Sequence, residues 1–453
     1  PEQIGAPGRN LTVSLDPNAP RQVVYGRAAL AGVRPFADVY ASNQKMGLVF
    51  ALSQGPCVGL HALILDDTTV TLSSGTVTTS PWANKVRLQT ENGASDATAF
   101  SSLASASSYF DSNMRGRGIA KAFLEVDYDE DMLAGGFPQA LFVWDGVKVY
   151  DPRKDTTRGG SGTHRFDDPS TWDGDGYDNP ALQALHFIRG VYENGQRVFG
   201  LGVPASLIDF AAFAAAATVC DATVGGGKRY TAGGVVTDAD DREGVLDAFG
   251  AAMGGAVWES AGLFTCYAGA TQASAMTLTD DDLAGGIEFI PAPAFRSKIN
   301  TLRGRFTDPA RDWRENSTAP VTDATYRTED NDEIISDEHP ILLVNSAAVA
   351  QRLTRLELAN RREPRTYRAR WKPKAAVLSE GDCVTINSSE IGVNEKARII
   401  EFALDQDGFA LMTLRTETDA KYTAADNFSE AMPSFERIDR YDPRETITPA
   451  GGD

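Results

Sequence analysis

Asp173-Gly174-Asp175-Gly176-Tyr177-Asp178 alternates carboxylates with small residues, as a loop that wraps a hard cation would. The pattern falls short of a calcium site. Ala184 stands twelfth, where a bidentate glutamate belongs, and the sixth residue is Asp178, not glycine. A solvated loop is the expectation. A second acidic run, Glu329, Asp330, Asp332, Glu333, Asp337 and Glu338, reads as an exposed loop whose charge can face a partner. His61, His164, His186 and His339 are scattered, and no serine stands in a Gly-x-Ser-x-Gly elbow. With 62 Asp and Glu, chance carboxylate pairs are numerous, so paired acids give no glycosidase signal. No catalytic, cofactor-binding or metal-binding residue is assigned; the chain is expected to be no enzyme and to carry no cofactor.

Cys57, Cys220, Cys266 and Cys383 lie far apart with no C-x-x-C pair, the pattern of buried thiols made in a reducing cytoplasm. The 43 Lys and Arg against 62 acids give a formal charge of -19, which argues against an ordinary nucleic-acid binder. Either the partners are proteins or DNA must not adhere. One segment departs from this balance: between Arg352 and Lys372 lie seven Arg and one Lys against Glu357 and Glu363. Arg352, Arg355, Arg361, Arg362, Arg365 and Arg368 are therefore candidate interface residues for an acidic neighbour, with a solvated, ion-paired helix face as the plainer reading and DNA contact as the third. No run approaches the roughly 18 apolar residues that span a bilayer, and the polar start carries no signal core. The chain begins at Pro1, so residues upstream are left open.

The elements that must position these residues fall into sections. A chain of 453 residues with 42% hydrophobic content predicts two to four domains. Residues 1–20 read as an arm. Short strands across 21–67 and 118–150 read as one β-barrel, with a hairpin about Asp145-Gly146. The Ser-, Thr- and Asn-rich stretch 68–117, with a helix-like piece at 97–107, reads as an insertion in it. A Gly- and Asp-rich loop fills 151–178. An α+β section, 179–290, opens with Asn179 as N-cap and Pro180 in the first helical position, continues with a helix from Asp209, and has a third helix over 241–253 stopped by Gly254-Gly255. Residues 291–425 return to strands as a second barrel with a helix at 346–362, and 426–453 form a tail.

Certain of these motifs carry a resemblance. Val24-Tyr25-Gly26, Arg117-Gly118-Ile119-Ala120, Asn179-Pro180-Ala181-Leu182 and the 200–209 stretch with Gly202, Pro204 and Asp209 resemble the tail-tip hub proteins of long-tailed bacteriophages, the family of the lambda tip attachment protein J, also found in phage-derived gene transfer agents. Thr277 to Leu283, the segment around Gly304, and Gly381-Asp382 extend the match over roughly 23–418. The resemblance implies an α+β, predominantly β fold with two hub barrels. It also implies a trimer that closes the distal end of the tail tube and forms the DNA exit channel. The implied partners are the distal tail protein, other tail-tip proteins, the tape-measure protein and tip fibres. Phage DNA would pass without specific binding, and the implied location is the distal end of the virion tail, assembled in the host cytoplasm. The alternative is a cell-surface carbohydrate-binding or carbohydrate-degrading module, for which Trp82, Trp172 and Trp313 in loop-like sequence would be the aromatic platforms.

Overall fold

Alternation along the strand Ile119–Asp127 sets the architecture of the first region: Ala120, Ala122, Leu124 and Val126 are buried on one face and Phe123 on the other. The computed structural model describes residues 11–16, 18–260, 262–290, 298–362 and 365–430. Most of the expected arm (1–10), the tail from 431 on and the head of the expected second barrel (291–297) lie outside the described residues.

Ile119–Asp127 pairs antiparallel with Lys45–Gln54 and Val86–Asn92 within a six-stranded sheet that Val33–Tyr40 edges. A four-stranded sheet of Arg27–Leu30, Ala140–Val147, Cys57–Leu65 and Thr68–Val70 supplies Phe142, Trp144, Leu63 and Leu65 to the same core. The outer faces are covered as well. Helix α1 (Ser101–Ala106) and its flanks bring Leu103, Phe100 and Phe110 onto Phe123 and Val49, while Trp313 lies with Ile64, Leu141 and Val143. Within the expected insertion 68–117, Val86–Asn92 is hydrogen-bonded into the main sheet, so that stretch is part of the sheet.

The expected hairpin at Asp145-Gly146 is not formed. Ala140–Val147 is one strand, with Asp145 opposite both Arg27 and Gly59. Glycine is needed there for a different reason: a Cβ on Gly146 would stand 2.2 Å from the Val24 carbonyl oxygen. A close backbone approach leaves the same residue signature as a tight turn.

Strand Gln22–Tyr25 pairs with Gly234–Thr237 and joins the first region to the three helices that follow, α2 (Pro180–Arg189), α3 (Phe210–Asp221) and α4 (Arg242–Ala252). Asn179 caps α2 by accepting from the Ala181 and Leu182 amides, and Pro180 takes the first position, as expected. All ten residues of α2 are buried. Asp209 caps α3, and α4 stops at Gly254 in the left-handed region (φ +60°). One continuous core runs through both sheets and these helices.

The last region returns to strands, Thr366–Trp371, Cys383–Ser388, Val393–Leu404 and Ala410–Thr416, with Asp407-Gly408 in the final turn. Two further strands edge this sheet: Met276–Thr279, parallel to Cys383–Ser388, and Leu283–Ile290, antiparallel to Thr366–Trp371. The sheet therefore begins inside the stretch read as α+β. Thr301–Asp308 belongs to a separate sheet with Arg314–Ser317, Val321–Thr322 and Ser336–Pro340. Three helices complete this part: α5 (Ala324–Glu329), α6 (Ala347–Arg362) and α7 (Asp419–Asp426). The whole is predominantly β, with curled sheets and a half-barrel.

Candidate functional site

The two charged runs that the sequence presents as separate surfaces meet at Arg361 and Arg362. On α6, Arg362 meets Asp330 at 3.1 Å and Glu329 at 3.1 Å, and Arg361 meets Asp337 at 2.6 Å and its own-helix Glu357 at 2.8 Å. The side chains of Arg362 and Asp330 are 4% and 2% exposed. Burial alone would raise the Asp330 carboxyl; the hydrogen bond from Asn300 and the charge of Arg362 bring it below the usual range instead. Carboxylates from outside the acidic run take the remaining arginines. Arg352 reaches Asp426, Arg355 reaches Asp323 at 2.5 Å, and Arg365 reaches Glu395 at 2.6 Å. Arg368, half exposed, stands 4.0 Å from Glu288. The acids sought on a neighbouring molecule are supplied by the chain itself, from α5 and its flanks, strands Ser336–Pro340 and Val393–Leu404, and α7.

The calcium-like loop is occupied in the same way: the Lys154 ammonium bonds Asp173 at 2.6 Å and Asp175 at 3.0 Å, standing where a cation would. The long loop around it is ordered by aspartate caps, Asp151, Asp155 and Asp168, each accepting from a backbone amide two residues on. His164 is buried beside Asp151 and Asp173. His186 is buried in α2 against the Tyr25 hydroxyl, and burial pushes its pKa down to about 3, so it is neutral at ordinary pH.

A cleft of about 470 Å³ lies beside the four-stranded sheet, lined by Arg27, His61, Tyr177, Trp313 and Asn345. Two of its lining residues share one carboxylate: Asp145 takes Arg27 at 2.6 Å and the Tyr177 hydroxyl at 3.2 Å. The four cysteines are buried thiols, and desolvation raises Cys57 to about 11. Trp82, Trp172 and Trp313, the platforms offered for a carbohydrate module, are only 3%, 3% and 6% exposed. Trp82 and Trp172 fill the main core, and Trp313, although it borders the cleft, packs against Ile64, Leu141 and Val143, so none of the three is the open aromatic platform that alternative needs.

The motif positions take structural roles. Gly26 (φ +56°) donates its amide to the Tyr177 carbonyl, and a Cβ there would lie 1.9 Å from the Ala232 oxygen. Asn179, besides capping α2, donates to the Ala217 carbonyl of α3 at 3.0 Å. Gly118 leaves room for Glu193, which accepts from Gln54, and Gly304 lets strand Thr301–Asp308 approach Thr354 of α6. Gly202 packs under Arg197, and Pro204 precedes the turn Ala205–Leu207 that leads to Asp209. Gly381 (φ +89°) receives the Trp258 ring, and Asp382 accepts from the Ser379 amide. Gly26 and Asn179 thus meet at the junction of the first sheets with the helices, and Gly381 and Asp382 where hairpin Ala256–Ser260/Leu263–Tyr267 docks on the last sheet. Sequence reasoning missed the residues that lock α7 in place, Arg398, Glu417 and Lys421. Their spacing is non-local, and only the i,i+4 pair Glu417/Lys421 was visible in the sequence.

Residues 243–402 match a family described as putative phage tail protein. No curated protein matches the chain. Among solved structures, a chain of the virion of a native gene transfer agent particle superposes with a TM-score of 0.62 at 18% identity, covering 92% of this chain and 89% of that one. A tail protein from Neisseria meningitidis MC58 aligns at a TM-score of 0.32, 11% identity, with 90% and 99% covered. The 43 kDa tail protein of prophage MuSo2 from Shewanella oneidensis aligns at 0.31, 9% identity, with 89% and 96% covered. The chain therefore has the fold of a gene transfer agent virion subunit and, over 243–402, the sequence signature of a putative phage tail protein family.

Proposed function

We propose that this chain is a structural subunit of a phage-type tail, and within the tail the hub that closes the distal end of the tube as a homotrimer. The observation that carries the reading is the fold shared over 92% of the chain with a gene transfer agent virion subunit, joined to the tail-protein signature over 243–402. In the cleft beside the four-stranded sheet, Arg27, Asp145 and Tyr177 are committed to one another. Such a subunit works by geometry and assembly. Its partners are two further copies, the distal tail protein, other tip proteins, the tape-measure protein and tip fibres. Its net charge of -19 suits a ring through which DNA slides without sticking. Antibodies against the chain, used for immunogold electron microscopy of particles from lysates of the source, test this: label at the tail end opposite the head is expected, and label along the tube, on the head or on no particle would overturn it.

A further inference from the structure

Helix α7 is held to α6 and the last sheet by a buried side-chain cluster that the tail reading does not use. Lys421 Nζ lies 2.9 Å from Asn360 Oδ1 at the end of α6 and 2.9 Å from Glu417 Oε2. Glu417 and Lys421 have side chains only 3% exposed. Arg398 binds the other oxygen of Glu417 at 3.0 Å, with the Tyr422 hydroxyl donating to that same oxygen, so Oε2 is the oxygen turned to the lysine. The buried lysine and glutamate are thus held against a half-buried carboxamide.

We propose that Lys421 and Asn360 are the partners of an intramolecular isopeptide bond that ties α7 covalently to α6. The amine nitrogen of Lys421 attacks the side-chain carboxamide carbon of Asn360. A C–N bond forms to Nζ, the bond from that carbon to the amide nitrogen breaks, and ammonia leaves. Lys421, paired with the carboxylate as an ammonium, first gives Glu417 a proton and so frees the amine that attacks; Glu417 passes that proton to the departing nitrogen, takes the second proton shed by the attacking nitrogen and yields it to the ammonia, which leaves as ammonium, and Glu417 ends in its starting form. No oxidant, metal or co-reactant is consumed. The fold supplies what the reaction lacks in free peptides, the fixed approach of the two groups, a contribution that intramolecular chemistry puts at several orders of magnitude in rate. Arg398 keeps the carboxylate ionised, and after the reaction it remains as that carboxylate's cation. The ion pairs at the helix ends, Asp419 to Lys396 and Asp426 to Arg229, hold α7 in register for the encounter. In an assembly that transmits force, the bond would keep α7 seated when non-covalent contacts are pulled apart.

The test is intact-protein mass spectrometry on the purified full chain, followed by peptide mapping. The expected result is a mass lower than that of the sequence by one ammonia molecule, with a branched peptide joining the segment of Asn360 to that of Lys421. The Lys421→Arg variant should show the full sequence mass and no branched peptide, while circular dichroism confirms that it folds. Glu417→Gln, checked for folding in the same way, should accumulate the linked form more slowly than the parent. Folded wild-type protein at the full sequence mass without the branched peptide would overturn the proposal, as would the same mass loss persisting in the Lys421→Arg variant.

Discussion

The first pair of sheets and the last sheet are built from strands of similar length, but they are held by different forces. In the first region both faces of each sheet are covered: Trp144 and Phe142 fill the inner core, while α1 and Trp313 close the outer sides. The last sheet has an apolar core on one face, including Trp371, Tyr367, Ile386 and Leu414, and leaves Leu411 43% exposed beside Arg368 and Arg370. It is closed at its end by ions, the Arg398, Glu417 and Lys421 cluster under α7. A core held by apolar burial is weakened mainly by lost volume, whereas one closed by buried ions is weakened by removing a partner or by pH.

The largest effect expected is from Trp144→Ala. It removes a fully buried ring and should cost about 3–5 kcal/mol in chemical denaturation, with hydrogen exchange rising across the first sheets and α2. Next, Arg398→Leu takes the buried guanidinium from Glu417 and should cost about 3 kcal/mol, with the loss confined to 366–426 in the same exchange measurement. Equal loosening of both regions by either variant would break the contrast.

Acid should separate the regions by pH window. His186 titrates near 6.5 when unfolded and, through burial, only near 3 when folded. The unfolded chain therefore binds the extra proton, and the first core loses roughly 1.4 kcal/mol for each pH unit as pH falls from 6.5 toward 3. Glu417 behaves as a depressed carboxylate: burial alone would raise it, but Arg398 and Lys421 hold it at about 2. Its contribution is fully present above the ordinary glutamate range and is lost as pH falls through that range toward 2. Hydrogen exchange at stepped pH should show α2 and the first sheets weakening at higher pH than 366–416, and His186→Phe should flatten the early phase. The smallest effect is expected at Arg368. It is half exposed and 4.0 Å from Glu288, so Arg368→Ala should shift stability by no more than about 0.5 kcal/mol in thermal denaturation.

Locally encoded features were legible in the sequence. The caps at Asn179 and Asp209, the stop at Gly254 and the alternation of Ile119–Asp127 each rest on a few adjacent residues, and each is in place. What escaped the sequence depends on distant chain. Asp145-Gly146 has the residues of a turn, yet Val24 comes close enough that the same glycine serves a straight strand. Met276–Thr279 finds its parallel partner more than a hundred residues later. The charged candidates show the same limit, since an acidic run and a basic helix carry no sign in sequence that one will lie on the other. What approaches the motif glycines, Ala232 at Gly26 or Trp258 at Gly381, comes from distant chain and was not legible.

The central claim is that this fold works as part of a symmetric ring. Light scattering of the purified full chain over a range of concentrations at moderate salt, with negative-stain electron microscopy of the same fractions, tests it most directly. The account predicts three times the chain mass and threefold rings with a central opening; a monomer at every concentration, with no ring in any field, would contradict it.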